Sequence, residues 1–234
     1  TAEGNFLATQ AEKYLDLFRD TKDELKKLQE AALTEIVIGA SYTYSKYSLA
    51  DVLVPYQVTH PNVKFRIVND SSDALYRQVL DGSVDVGFLR GDYEGPVNRT
   101  LLGETQGFLV SKTPVELSAL PGMHRLDYKT NEKTTGILTR WWEMCFANAY
   151  PPGMMVGHID GAWKLIDEGM GYALSFLPEN FENRYQLTLT PLTWPGGTPV
   201  TRRTWFVYPK EKRLPEKLAD FIKYTESLSA KVSE

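Results

Sequence analysis

The sequence predicts an α/β protein made of two similar lobes with a ligand cleft between them. A helix, an acidic residue, a glycine and a buried strand follow one another in VLDGSVDVGFLRG, at 79–91, and again in IDEGMGYALSFLPEN, at 166–180. Aligning Gly82 with Gly169 sets VDVGFL over GYALSF. Short apolar strands alternate with helices in the order βαβαβ in each half of the chain, which is typical of doubly wound lobes. A long amphipathic helix precedes the first strand.

The bulk composition is that of an ordinary globular protein and argues against several function classes. The 234 residues are 42% hydrophobic and 24% charged, and the net charge of −4 gives no basic field for holding nucleic acid. No apolar run approaches the ~20 residues of a membrane helix and no signal peptide is recognised, so we expect no membrane partner. The single cysteine, Cys145, excludes an internal disulfide and fits a cytoplasmic location.

Residues 1–33 are predicted to form a dimerisation helix that is helical from residue 4. Apolar side chains recur at alternating spacings of four and three, which is the heptad pattern of a coiled coil. The predicted dimerisation residues on this seam are Leu7, Tyr14, Phe18, Leu25 and Leu28. So narrow a stripe on so long a helix favours a partner helix in a homodimer. The alternative is an amphipathic helix that packs on its own domain.

The first βαβαβ unit begins where the helical period ends, at Glu35. Its predicted strands are 36–40, 63–68 and 84–89. The first helix of the unit starts at Ser48 and Asp51, which are placed like a capping box. The second helix is capped at Ser71 and ends at Gly82. Apolar strands separated by helices predict a parallel sheet with right-handed crossovers.

The pattern then restarts in the second half of the chain. The predicted strands are 125–128, 154–159 and 172–177, followed by 186–192 and 203–208. Thr134 or Thr135 is expected to cap the first helix of this unit, and Asp160 the second. Pro215 opens a last amphipathic helix.

Polar residues follow the ends of these strands, where open α/β sheets bind their ligands. The clusters are 41–43, 69–72 and 89–91 in the first lobe, and 129–135, 158–160 and 177–178 in the second. Several lead into helix N-termini, whose unpaired N–H groups favour a small anion such as a carboxylate. Taken alone, each Ser or Thr is more often a simple helix cap. Arg202 and Arg203 are candidates for a counter-charge, although an exposed arginine pair fits plain surface equally well.

Enzyme and metal chemistry find little support in the sequence. The three histidines have no metal-ligand spacing, and no nucleophile elbow, phosphate loop or dinucleotide fingerprint occurs. Cys145 lies on the apolar face of a predicted helix, which is typical of a core residue rather than a nucleophile. We therefore expect a protein that is not an enzyme and that uses no cofactor or metal.

Several segments, taken in order, resemble the LysR-type transcriptional regulators. The opening TAEG before a long helix is similar to the end of that family's winged helix-turn-helix and its linker helix. The segments Ile38–Ser41 and Leu53–Val63 resemble its first strand and helix. LDGSVDVG at 80–87 and EGMGY at 168–172, continuing to LPE, resemble its helix-to-strand signatures in the two lobes.

This resemblance implies two Rossmann-like lobes of the periplasmic-binding-protein type II kind, joined by crossover strands near 108–112 and 202–208. Lobe I would comprise 34–110 and 203–234, and lobe II 111–202, after a linker helix at 1–33. The effector-binding residues implied by the family and the strand ends are Ser41, Tyr42, Thr43, Asn69, Ser71, Ser72, Thr134, Thr135, His158, Ile159, Asp160 and Arg202.

The resemblance also implies a sensor that binds a small metabolite and alters the arrangement of a homodimer or homotetramer. DNA would be contacted only through an N-terminal domain that this sequence does not contain. The competing interpretation is a solute-binding protein of a transporter with the same fold. The heptad helix and the missing signal peptide argue against it, because a monomeric binding protein has no evident use for such a helix.

Overall fold

The structure is a computed structural model that describes residues 1–31, 34–177, 180–210 and 214–230. The helices are α1 Ala2–Ala31, α2 Tyr42–Tyr47, α3 Leu49–Thr59, α4 Ser72–Asp81, α5 Glu132–Phe146, α6 Ile159–Asp167 and α7 Glu216–Ala230. The strands are β1 Thr34–Ala40, β2 Val63–Asn69, β3 Val86–Arg90, β4 Val97–Ser111, β5 Leu126–Tyr128, β6 Met154–Val156, β7 Tyr172–Phe176, β8 Thr188–Pro191 and β9 Thr201–Pro209. A short 3-10 helix covers Leu117–Gly122.

The first lobe is a mixed sheet in the order β2-β1-β3-β9-β4. Strands β2, β1 and β3 are parallel, as their apolar runs predict, and β9 and β4 join them antiparallel. On one face, Phe88 and Phe206 pack with Tyr56 of α3 and Phe221 of α7. Helix α4 covers the other face, where Leu75 belongs to a second buried cluster. The central strand β3 is therefore buried on both faces, and a ligand is expected at the carboxyl ends of the strands.

The second lobe is built on β7 and β8, which both pair with the end of β4, and on the short parallel pair β5 and β6. Helix α5 packs the fully buried Trp141 and Trp142 against Tyr172 and Phe176. Helix α6 packs Trp163 in a separate cluster. The apolar faces of α5 and α6 therefore pack on the second lobe, and the strand ends of this lobe lie opposite those of the first lobe.

Two long strands connect the lobes. Strand β4 pairs with β9 over Val97–Gln106 and with β7 over Gly107–Ser111, so it passes from one lobe into the other. Strand β9 follows Val200, which bonds to the second-lobe residue Leu192, and then pairs with β3. The predicted fold of two lobes joined by two crossover strands is confirmed. The lobe boundaries at residues 110 and 202 stay a prediction.

Several predicted helix starts are wrong. Asn131, not Thr134 or Thr135, caps α5, because its side-chain oxygen lies 2.7 Å from the Thr134 N–H. His158 occupies the cap position of α6, and Asp160 lies inside its first turn. Helix α2 was not predicted, and its N-cap is Ser41.

The predicted capping box at Ser48 is also wrong, because Ser48 makes no side-chain capping bond to α3. By contrast, Ser71 caps α4 through a 3.2 Å bond from the Ala74 N–H. Gly82 ends that helix with φ 81°, a left-handed conformation that glycine adopts without steric cost.

Helix α1 leaves its apolar seam uncovered. Leu7, Tyr14, Phe18 and Leu25 are between 55% and 71% exposed. The side chain of Leu28 and residues 32–33 lie outside the described part. Because these side chains are exposed, the described part of the apolar face of α1 does not pack on the rest of the chain.

Candidate functional site

A cavity of about 450 Å³ lies between the lobes, beyond the carboxyl ends of the strands. That volume is within the usual range for small-molecule sites. Its lining residues are Ser41, Tyr42, Thr43, Asn69, Asp70, Ser71, Ser72, Arg90, Tyr128, Lys129, Thr130, Asn131, His158, Ile159, Phe176 and Arg202. Both lobes therefore contribute to one site, as the rule for strand ends predicts.

The cavity brings together most of the sequence-predicted site residues. Those that line it are Ser41, Tyr42, Thr43, Asn69, Ser71, Ser72, His158, Ile159 and Arg202. Thr134 is buried behind the wall, where its hydroxyl accepts a hydrogen bond from Arg202. Thr135 is exposed and bonds to the Asn131 carbonyl, and Asp160 lies in the neighbouring groove.

The first-lobe wall of the cavity carries several small hydroxyl side chains that also make hydrogen bonds within the protein. The Ser41 and Ser71 hydroxyls accept bonds from the first turns of α2 and α4. The buried Ser72 hydroxyl accepts a 3.0 Å bond from the Arg90 N–H and so joins α4 to the end of β3. Asn69 accepts a 2.6 Å bond from Ser45. These residues therefore cap and position the wall at the same time as they line it.

The second-lobe wall is more aromatic. The Tyr128 hydroxyl donates to Ser175 at 3.2 Å, and the Phe176 ring faces the same cavity. His158 stacks on Tyr42 of the first lobe with ring centroids 4.1 Å apart. The Tyr42–His158 stack thus spans the cleft, so a ring from each lobe borders the ligand space.

The most unusual group in the cavity is Arg202. Its side chain is buried, one of its terminal nitrogens donates to Thr134 at 3.1 Å, and its guanidinium lies 4.7 Å over the Phe176 ring. Its Nε has no hydrogen-bond partner among the described residues. Burial, together with the positive charge of Arg90, lowers the pKa of Arg202. No carboxylate of the described residues pairs with Arg202, and a buried cation in that setting favours an anion from outside.

Arg90 is the main site residue that sequence reasoning missed. It ends the buried strand β3, is 5% exposed, and lies 6.0 Å over the Tyr44 ring. Its position at the end of a predicted strand, in the cluster at 89–91, was the feature of the sequence that could have identified it. Arg203, the other arginine considered, is an ordinary surface residue that pairs with Asp92 at 3.1 Å.

Asn131 was also missed as a site residue, and it connects the two walls. Besides capping α5, its amide nitrogen donates a 2.8 Å bond to the Arg90 carbonyl. The side chain is 5% exposed. One buried amide therefore fixes the start of a second-lobe helix to the end of a first-lobe strand.

A second group of contacts between the lobes lies beside the cavity. Asp160 pairs with Lys46 at 2.7 Å and accepts a 2.9 Å bond from the Tyr47 hydroxyl. We call Lys46, Tyr47 and Asp160 the clasp. Burial of Asp160 disfavours its ionised form, but the bonds from Lys46 and Tyr47 outweigh burial and lower its pKa. The bond to Asp160 raises the pKa of Lys46.

Other reactive groups lie away from the cavity. Cys145 is half-buried, and burial raises the pKa of its thiol, which disfavours the nucleophilic thiolate. His60 stacks on Tyr56 at the end of α3. Across the described ranges, no helix has the length and apolar character needed to span a membrane.

Comparison with known proteins identifies the family. The family model of the LysR substrate binding domain matches residues 30–229. The uncharacterised HTH-type transcriptional regulator YraN of Bacillus subtilis is 26% identical over 227 residues, covering 95% of this chain and 78% of YraN.

Solved structures show the same fold. The effector-binding domain of QuiR in complex with shikimate superposes with a TM-score of 0.71 at 11% identity, covering 86% of this chain and 99% of QuiR. The BenM effector-binding domain with its effector benzoate gives a TM-score of 0.64 at 17% identity, and the match covers 86% of this chain and 92% of the BenM domain. The family match over residues 30–229 shows that the chain belongs to the LysR substrate-binding domain family of LysR-type transcriptional regulators, and the solved structures show that it has the fold of an effector-binding domain.

Proposed function

We propose that the cavity binds a small anionic metabolite, such as an organic acid, as the effector of the regulator. The observation that carries this proposal is Arg202, a buried guanidinium that lines the cavity and whose Nε has no partner among the described residues. A carboxylate placed there would supply a counter-charge that none of the described residues provides, and it would accept a hydrogen bond from Nε. The effector-binding residues are then those that line the cavity, together with Thr134 behind Arg202.

The rest of the wall supports an anion of modest size. The N-termini of α4 and α5 lie at the cavity and favour negative charge. Tyr42, Tyr128 and Phe176 supply apolar surface for a carbon skeleton. Shikimate and benzoate, the ligands named for QuiR and BenM, are both carboxylates at neutral pH.

We further propose that binding changes how the lobes are held together and thereby the oligomer. Ligand contacts from both walls would add to the Tyr42–His158 stack and the clasp, which already bridge the cleft. The exposed seam of α1 supports a homodimer, or a homotetramer built from dimers. In this proposal a separate domain reads the DNA, and the regulator works in the cytoplasm. The family match favours this function over the transporter alternative.

A thermal-shift screen tests the effector proposal. Small carboxylates at about a hundred times their dissociation constant should stabilise the protein by about 2.7 kcal/mol, whereas neutral sugars should not. Arg202→Gln should abolish the shift, and Arg203→Gln, which removes the neighbouring surface arginine, should retain it. A shift that survives Arg202→Gln would contradict the proposed site.

Oligomeric state tests the role of α1. Phe18→Glu places a charge in the middle of the seam and should convert the dimer to monomer, because a coiled-coil core position does not accommodate it. Lys13→Glu changes an exposed position off the seam and should leave the dimer intact. Light scattering after size exclusion measures both. A wild-type monomer at tens of micromolar would refute the proposal.

A further inference from the structure

We propose that the groove beside the clasp is a second ligand site, which takes an uncharged planar ring compound with a hydrogen-bond acceptor. Quinoline and the purine bases are compounds of this class. The site is separate from the anion cavity, so the inference goes beyond the proposed function and does not depend on it. It rests on the pairing of the groove's charged side chains, on its aromatic wall and on the buried indole of Trp163.

The groove has a volume of about 450 Å³, like the anion cavity, and it too is formed by both lobes. Helix α2 contributes Lys46 and Tyr47 from the first lobe, and helix α6 contributes Asp160 and Trp163 from the second. Earlier residues of both helices line the cavity, so the clasp separates two spaces of similar size. The Asn180 amide, in the loop after β7, donates to the Tyr47 carbonyl at 3.1 Å and joins the lobes at the groove. A ligand in the groove would therefore contact both lobes.

The charged side chains of the groove are paired with one another. Lys46 lies 2.7 Å from Asp160. Arg184 likewise lies 2.7 Å from Glu182. Two cations and two carboxylates among the described lining residues leave a formal charge of zero. A charged ligand in the groove would have to break one of these pairs or lose its water without gaining a partner, so an uncharged ligand is favoured.

Aromatic side chains supply most of the remaining wall. Trp163 and Phe181 stack with ring centroids 4.5 Å apart and an angle of 26° between their planes. Tyr47 and Tyr185 line the same groove, and Tyr185 is 43% exposed. Aromatic side chains pack favourably on another flat ring in offset or edge-on arrangements. A planar ring therefore fits this wall better than a strongly hydrated compound such as a sugar.

The indole nitrogen of Trp163 supplies the polar feature of the wall. Trp163 is 4% exposed, and its Nε1 is buried with no hydrogen-bond partner among the described residues. A buried N–H without an acceptor is unfavourable. Buried tryptophans usually have such an acceptor, as Trp141 does in the Thr193 carbonyl at 2.8 Å. An acceptor nitrogen or oxygen on a bound ring would accept the Trp163 N–H and remove this cost.

Ring compounds of one shape that differ in charge or in the acceptor test the inference in the wild-type protein. Quinoline is uncharged at neutral pH, and its ring nitrogen accepts a hydrogen bond. Naphthalene lacks the acceptor, and N-methylquinolinium lacks it and carries a positive charge. Titrations followed by saturation-transfer NMR should show that quinoline binds about tenfold tighter than either, because the bond to a buried donor is lost and the cation has no free carboxylate to meet.

Variants locate the site. Trp163→Phe keeps an aromatic ring but removes the N–H, so quinoline and naphthalene should then bind within about twofold of each other. Trp142→Phe is the matched control, because its Nε1 is also buried without a described partner but the residue lines neither the groove nor the cavity. It should leave the preference for quinoline intact, and so should Arg202→Gln, which changes only the anion cavity. Circular dichroism establishes that each variant is folded, and the ligand series in the wild type requires no variant.

Several results would overturn the inference. Quinoline that does not bind at millimolar concentration, or that binds the wild type no more tightly than naphthalene does, would contradict it. A preference for quinoline that survives Trp163→Phe would contradict the role of the indole. Quinoline binding that is lost in Arg202→Gln would place the ring in the anion cavity instead. None of these results decides whether an anion binds at Arg202, which the thermal-shift screen tests separately.

Discussion

Two neighbouring regions between the lobes differ in how their charged side chains are paired. In the clasp, Asp160 has Lys46 at 2.7 Å and the Tyr47 hydroxyl at 2.9 Å, so each charge has a partner within the protein. In the cavity, Arg202 is buried between the neutral Thr134 hydroxyl and the Phe176 ring. The difference separates the clasp, which joins the lobes, from the cavity, where we propose that an anion binds. Charges that are paired within the protein need no further partner. A buried cation that no described carboxylate pairs with favours a counter-ion from outside the protein.

The largest expected difference between the two regions is in ligand affinity. Arg202→Gln should weaken binding of the best anion about 100-fold, because a charge-assisted contact in a buried site is lost. The ligand-free variant should unfold at the same or a higher temperature than the wild type, since it loses a buried charge that has no carboxylate partner in the described part of the chain. Isothermal titration and calorimetry measure the two effects. A large fall in ligand-free stability would mean that Arg202 is structural.

An intermediate effect is expected at Asn131, which ties the two walls together. Asn131→Ala removes the cap of α5 and the bond to the Arg90 carbonyl, and should cost about 2 kcal/mol of unfolding free energy. Asn131→Ser keeps a capping oxygen but loses the amide donor, so about half of that loss should remain. Urea denaturation of both variants gives the comparison. Equal losses would show that capping is not the main contribution.

The smallest effect is expected in the clasp. Asp160→Asn should cost at most about 1 kcal/mol, because the pair is partly exposed and water screens it. Asp16→Asn, at a more exposed pair with Arg19 on α1, is the matched control and should have no measurable effect. A loss in Asp160→Asn well above that of a surface pair would place the clasp among the main stabilising contacts between the lobes.

The pH dependence of the clasp follows from the pKa shifts of Asp160, Lys46 and Tyr47, and the pKa of Tyr47 is raised above its ordinary 10.0 by burial and by the bond to Asp160. The pKa of Asp160 is lowered below its ordinary 3.8, so its contribution is present above that pH and is lost as pH falls through the folded pKa. The pKa of Lys46 is raised above 10.5, so its contribution is present below that pH and lost as pH rises through the folded value. Between these limits, the stability difference between wild type and Asp160→Asn should be flat. A change near neutral pH would point to another group.

The sequence was sufficient for the elements whose signals are local. The helix cap at Ser71, the helix end at Gly82 and the apolar strands follow from short patterns, and each is confirmed. The caps of α5 and α6 were misplaced because several polar residues precede each helix. Which of them caps depends on where the preceding strand ends, and strand ends are set by tertiary pairing.

Charge inside the cavity was harder to predict. Arginine is rarely buried, so a single sequence gives little reason to place Arg90 in a core wall. Arg202 and Arg203 alternate across strand β9, which implies that one points inward and the other outward. The choice between them depends on the register with β3 and β4, which is a long-range property. The position of the cavity, and Arg202 as one of its residues, were therefore predicted from the sequence, but the burial of Arg90 in its wall was not.

A structure of the protein with its tightest-binding anion would show whether the anion pairs with Arg202. We predict an anionic group in the cavity between the lobes, within hydrogen-bond distance of the Arg202 Nε. An anion bound at a different surface, with the Arg202 guanidinium still without a counter-ion, would contradict it.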